Sequence, residues 1–153
     1  MNELMPMRRS LLLFGWLAWM GLMFYFSTQG WGGQETQSGL EKLLSLVPFI
    51  REQFSHADLA QLNFVVRKMA HFTEYSILTL LGYFAWSISL GQHSLQAVRY
   101  ALLCSIVFAI SDEFHQLFEA GRTSLLTDVL IDCSGAAVVA LVLQRVVLRS
   151  QVS

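Results

Sequence analysis

The chain has 153 residues, of which 54% are hydrophobic and only 14% charged, well below the roughly 25% charged of an ordinary soluble domain. With a mean hydropathy of +0.49 it has the composition of a membrane protein. A net charge of −1 and the lack of any Lys/Arg block argue against a nucleic-acid partner.

A helix crossing a bilayer needs about 20 largely apolar residues, and the apolar runs predict an all-α bundle of four transmembrane helices forming one domain over 1–153. The first span, about 11–28, reads "LLLFGWLAWMGLMFYFST" and carries no charge. Following Arg8 and Arg9, it reads as a retained signal anchor, because "FYFSTQGWG" offers no small-x-small cleavage site. Its Trp16, Trp19 and Tyr25, with Trp31 beyond it, read as interfacial anchors or lipid-facing bulk.

The connection over 29–64 divides in two. "QGWGGQETQSG" has the composition of a loop. From Leu40 to Phe54 the apolar residues Leu40, Leu43, Leu44, Val47, Ile50 and Phe54 recur at helical spacing, which predicts an amphipathic extracytoplasmic helix on the membrane surface. "SHAD" (55–58) has the form of a capping box, so a further helix is expected to start there and run into span two.

Span two, about 69–90, begins with the polar "MAHFTEY"; span three, about 100–118, ends in "SDEFHQ". Span four, about 125–148, carries Asp128 and Asp132 near its start, and "EAGR" turns between spans three and four. Cys104 and Cys133 are expected at different depths, which argues against a disulfide.

Lys and Arg accumulate in short cytoplasmic loops. Arg8, Arg9, Arg99, Arg145 and Arg149 fall on one side if both termini are cytoplasmic, and the opposing bases mostly lie in the long connection, where the rule weakens. Alternation of direction then places the polar ends of all the spans on the extracytoplasmic face. At 100° per residue Lys68, His71 and Tyr75 share a stripe with Glu74 at its edge, as do Asp112, His115, Gln116 and Glu119 on span three and Asp128 and Asp132 on span four.

Ionisable groups cost about 2.5–3.5 kcal/mol at the bilayer centre on insertion scales, and therefore face partners or an internal cavity. Here Glu74, Asp112, Glu113, Asp128 and Asp132 outnumber Lys68 and Arg122. Three readings fit. The group is an interhelical network that holds the helices in register, a polar-ligand or headgroup site with Arg122 and Lys68 as anion holders, or a metal site built on the i, i+3 pairs His71/Glu74 and Asp112/His115. The i, i+3 spacing arises on any polar helix face, so no metal ligand is assigned. Ser111 as a nucleophile lacks a supporting triad pattern.

"RKMAHFTEYSILTLLG" (67–82), "SDEFHQLFEAGRTSLLTDVLIDCSGAA" (111–137) and "FYFSTQ" after span one resemble the VanZ-like family of small bacterial membrane proteins. The chain departs from the family pattern at Asp132, where the family usually has Asn, and at Val139, in place of a glycine. The resemblance implies a bacterial cytoplasmic-membrane protein and a family motif at Lys68, His71, Glu74, Tyr75, Asp112, Glu113, His115, Gln116, Arg122 and Asp128. The founding member is associated with glycopeptide (teicoplanin) resistance; this implies no particular reaction and names no cofactor.

Taken together, His71, Glu74, Asp112 and His115 are the acid/base candidates, and Lys68, Tyr75, Glu113, Gln116, Arg122, Asp128 and Asp132 the ligand-binding candidates. The expected partner is a membrane lipid or lipid-linked envelope intermediate. The alternatives are a non-catalytic structural protein of the envelope and a metal-dependent membrane hydrolase.

Overall fold

The computed structural model describes residues 4–28, 33–46, 48–51, 53–118 and 126–151, and every regular element among them is helical. Helix α1 (Leu4–Thr28) contains the charge-free run and extends beyond it at its N-terminal end. Helix α2 (Gly33–Ser45) begins at Gly33, not at Leu40, so part of the expected loop is helical. Its Gln and Glu residues are good helix formers, and Gln37 Nε2 donates to Glu41 Oε1 at 3.2 Å across one turn. Thr36, Gln37, Leu40, Glu41 and Leu44 are half-buried on one face, while Leu43 and Leu46 are exposed.

Pro48 lacks the N–H needed to continue that helix and opens the short α3 (Pro48–Arg51). The predicted amphipathic helix is thus two pieces, and Val47 lies outside the described residues. Helix α4 (His56–Phe84) starts on the expected capping box: Asp58 N–H donates to Ser55 Oγ at 3.2 Å, and Ser55 N–H donates to Asp58 Oδ2 at 2.9 Å. It continues unbroken into the region of span two.

At Ala85–Ser89 the ladder widens into a π turn, and Leu90 N–H donates to the Ala85 carbonyl at 3.0 Å. Gly91, at φ 67°, reverses the chain; a left-handed backbone suits glycine best. Helix α5 (Ser94–Gln116) begins before Tyr100, and α6 (Leu126–Ser150) closes the bundle. Hydropathy marks only the apolar part of these helices, whereas their hydrogen-bond ladders continue through polar residues such as Gln96 and Arg99.

Helices α4, α5 and α6 pack against one another, α1 lies along α4, the π turn and α5, and α2 rests on α4. Small residues set the close approach, as is usual between membrane helices. A side chain at Gly135 would run into the Phe72 carbonyl, and one at Gly82 would meet the Trp16 indole at 3.1 Å and Ala101 at 3.2 Å. Trp16 therefore belongs to the core, with Met23, Tyr75, Leu78, Ala85 and Ala109, rather than to the membrane interface. The expected anchor role fails there because the glycine opposite leaves room for an indole.

Among the described residues three helices are long and apolar enough to cross a membrane: Met7–Thr28, Ser94–Gln116 and Leu126–Ser150. α4 is not one of them; Arg67, Lys68 and Glu74 interrupt its apolar stretch. Leu103, Val107, Ile110, Leu130, Leu141 and Val142 are exposed on α5 and α6, as lipid-facing positions should be.

Candidate functional site

The end of α1, the middle of α4, the end of α5 and the start of α6 come together. Between the first three of these and α2 lies a cavity of about 300 Å³. Its polar lining is Arg67, His71 and Glu74 from α4, Asp112 and Gln116 from α5, Ser27 from α1 and Thr36 from α2. Met23, Phe26, Val66 and Ala70 supply an apolar wall.

The local geometry follows from helical spacing. Arg67, His71 and Glu74 are separated by four and three positions and so form one face of α4. Lys68 is turned about 100° away, and its ammonium pairs with the Asp128 carboxylate on α6, 5.1 Å above the Phe64 ring centroid. Neither Lys68 nor Asp128 lines the cavity. The neighbouring bases have separate surroundings: one meets the cavity, the other pins α4 to α6.

His71 faces two ways. It lines the cavity, and its Nδ1 lies 3.4 Å from Asp132 Oδ1, a long contact behind the cavity wall. Asp132 is fully buried, and its Oδ2 has no hydrogen-bond partner among the described residues. On α5, Gln116 Nε2 donates to Asp112 Oδ2 at 3.0 Å and to Ser27 Oγ at 3.3 Å, which links α5 to α1. Asp112 Oδ1 has no partner among the described residues. On the other side of the cavity, Trp19 Nε1 donates to the Glu74 backbone carbonyl at 3.2 Å.

Among the described residues the other candidates do not line the cavity. Tyr75 is fully buried beside Phe108, with ring centroids 6.2 Å apart. Glu113 is buried next to Asp112 but on a different face of α5. His115 packs its ring against Phe24 at 4.9 Å, so the expected Asp112/His115 pair divides, one member lining the cavity and the other packing on α1. Arg122 and Glu119 lie outside the described residues. The exposed Ser111 donates its hydroxyl to the Val107 carbonyl at 2.8 Å, within its own helix.

Among the described residues no three His, Cys, Asp or Glu side chains come together as a metal-ligand set, and Cys104 and Cys133 are free thiols. Among the described residues the cavity lining is chemically mixed: one guanidinium, one imidazole backed by a buried carboxylate, and two further carboxylates. Arg67 was not among the candidates taken from the sequence, although its i, i+4, i+7 relation to His71 and Glu74 was visible there. Ser27 and Thr36 carried no comparable signal, because their place in the lining depends on how α1 and α2 pack.

In comparison with known proteins, the family model described as VanZ/LLP1 matches residues 12–148. No curated protein and no solved structure matches the chain.

Proposed function

The chain belongs to the VanZ/LLP1 family, and on that premise we propose that this membrane protein uses its polar cavity to hold the headgroup of an envelope lipid or lipid-linked cell-wall intermediate. The observation that carries the reading is the cavity lining itself: convergent charged groups from α4 and α5 beside the apolar Met23, Phe26 and Val66. A lipid is amphipathic in the same sense, and concave sites with few oriented polar groups are the usual form of a ligand pocket.

In this proposal α4 and its π turn make a fourth crossing, with both termini on the cytoplasmic side and the cavity opening outward. Arg67, Lys68 and Glu74 all lie in the half of that crossing nearest the headgroups, where ionisable side chains cost less than at the bilayer centre. The pairing of Lys68 with Asp128 lowers the cost further. Arg67 holds the anionic part of the headgroup, Glu74 and Asp112 accept hydrogen bonds, and His71 is the candidate proton carrier.

A purely structural role is favoured at other points. The buried Thr79 and Ser105 hydroxyls are 2.8 Å apart, and Ser76 Oγ donates to the Gly135 carbonyl at 3.1 Å; both contacts tie helices together outside the cavity.

Mass spectrometry of lipids carried by the purified protein tests the proposal. The wild type should carry a lipid near one equivalent. Arg67→Gln should lower its occupancy at least about tenfold, a loss of about 1.4 kcal/mol, while Lys68→Gln should retain the lipid. Equal retention by wild type and Arg67→Gln, or no lipid in either, would overturn the reading.

A further inference from the structure

Asp112 lines the cavity at only 7% exposure, and one of its oxygens has no described partner. Its Oδ2 already accepts from Gln116, whose Nε2 is shared with Ser27 Oγ. Among the described residues that oxygen is an acceptor left open to an incoming donor. Glu74 supplies a second carboxylate to the same lining from α4. Arg67 sits two helical turns away from Glu74, about 10 Å along the axis, so the lining separates a cation from two carboxylates.

A ligand matching this pattern carries an anionic group and, a short distance away, a cation with N–H donors. A trimethylammonium matches the charge but donates nothing, and a neutral polyol donates but leaves the carboxylate charge unbalanced. A primary ammonium does both, with three donors on one small charged group.

A second observation concerns the rest of such a ligand. On the outer side of α4 a shallow groove of about 390 Å³ is lined by Trp19, Met69, Thr73 and Ile77. It shares Val66, Ala70 and Glu74 with the polar cavity. Cavity and groove are therefore adjacent along one wall, the polar space inside and the mostly apolar one outside.

Resting on the headgroup reading above, we propose that the cavity selects a phospholipid whose phosphate is followed within a few bonds by a primary ammonium. The ammonium donates to Asp112 and Glu74, the phosphate meets Arg67, and one acyl chain lies in the groove between α1 and α4.

The test is native mass spectrometry of the full chain in micelles doped with equal amounts of ethanolamine, choline and glycerol phospholipids of identical acyl chains. The ethanolamine lipid should be retained about tenfold over the other two, the discrimination expected of one charge-assisted hydrogen bond. Asp112→Asn should abolish the preference, and Glu74→Gln provides the same readout if that variant fails to fold. Thr73→Trp fills the groove from a residue that does not line the cavity; it should weaken diacyl lipid binding about tenfold and leave binding of soluble phosphoethanolamine unchanged. Equal retention of ethanolamine and choline lipids would overturn the amine assignment and leave the headgroup reading standing. Retention of no lipid at all would remove both, and undiminished lipid binding by Thr73→Trp would overturn the groove assignment.

Discussion

Lys68 and Arg67 are adjacent basic residues with different surroundings, and their consequences under substitution should differ in kind. Lys68 and Asp128 are 19% and 14% exposed as side chains, between the surface case, where a pair is worth little, and full burial, where breaking it is severe. Lys68→Ala should therefore destabilise the protein by about 1–3 kcal/mol, because it strands a mostly buried carboxylate. The double variant Lys68→Ala/Asp128→Ala should cost less than the two singles added together, which thermal unfolding of all four proteins in detergent would show. Strict additivity would mean that the pair does not couple α4 to α6. Read from the sequence, Lys68 falls on the inward stripe with His71 and Arg67 is left out, because the rotation of the helix against its neighbours is not encoded in spacing alone. The roughly 100° between them is fixed by the helix; which of them faces the cavity follows from the face that α6 covers, where Gly135 lies against Phe72.

At the level of the helices, the N-terminus of α4 and its contact with α6 are the two places where local sequence decides the outcome. The side-chain hydrogen bond from Ser55, with the Ser55 backbone N–H in support, holds the Asp58 carboxyl below the usual carboxylate range. A carboxyl with a depressed folded value contributes stability above its unfolded pKa and loses it as the pH falls through the folded one. Amide-exchange protection in the first turn of α4, corrected for intrinsic rate, should thus persist at neutral pH and fall in acid. Asp58→Asn should show weaker and pH-independent protection; an unchanged acid response in that variant would contradict the assignment. Further along, Gly135→Ala places a methyl against the Phe72 carbonyl, and such overpacking should cost about 1–3 kcal/mol, seen as a lower melting temperature. The capping box was legible because "SHAD" satisfies its own backbone locally. The start of α2 at Gly33 was not, because its glycines read locally as a loop while its packing on α4 is non-local.

For the whole molecule, alternation of direction was enough to gather the polar ends of four segments, and the contacts of Gln116 with Ser27, Lys68 with Asp128 and His71 with Asp132 join those same ends. What alternation could not supply is depth within the bundle. It gave no reason for Tyr75, Glu113 and His115 to stand apart from a cavity that His71, Glu74 and Asp112 line. A crossing by α4 requires that its two ends lie on opposite sides. In a background with Cys104 and Cys133 replaced by serine, Gln53→Cys should react with a membrane-impermeant thiol reagent in intact cells, and Gln92→Cys should react only after permeabilisation. Labelling of both from the same side would leave three crossings and refute the four-span arrangement.

The central claim is that the polar groups where the helices meet form a site and are not merely mutual ties. It is tested most directly by the melting temperature of wild type and Asp112→Asn in detergent, each measured with and without added phospholipid. A ligand that binds only the folded state raises that temperature by mass action. Equal melting temperatures are predicted without lipid, and on addition of an ethanolamine phospholipid a larger increase for the wild type than for the variant. A variant that melts well below wild type without lipid, with no lipid-dependent increase in either protein, would contradict the claim.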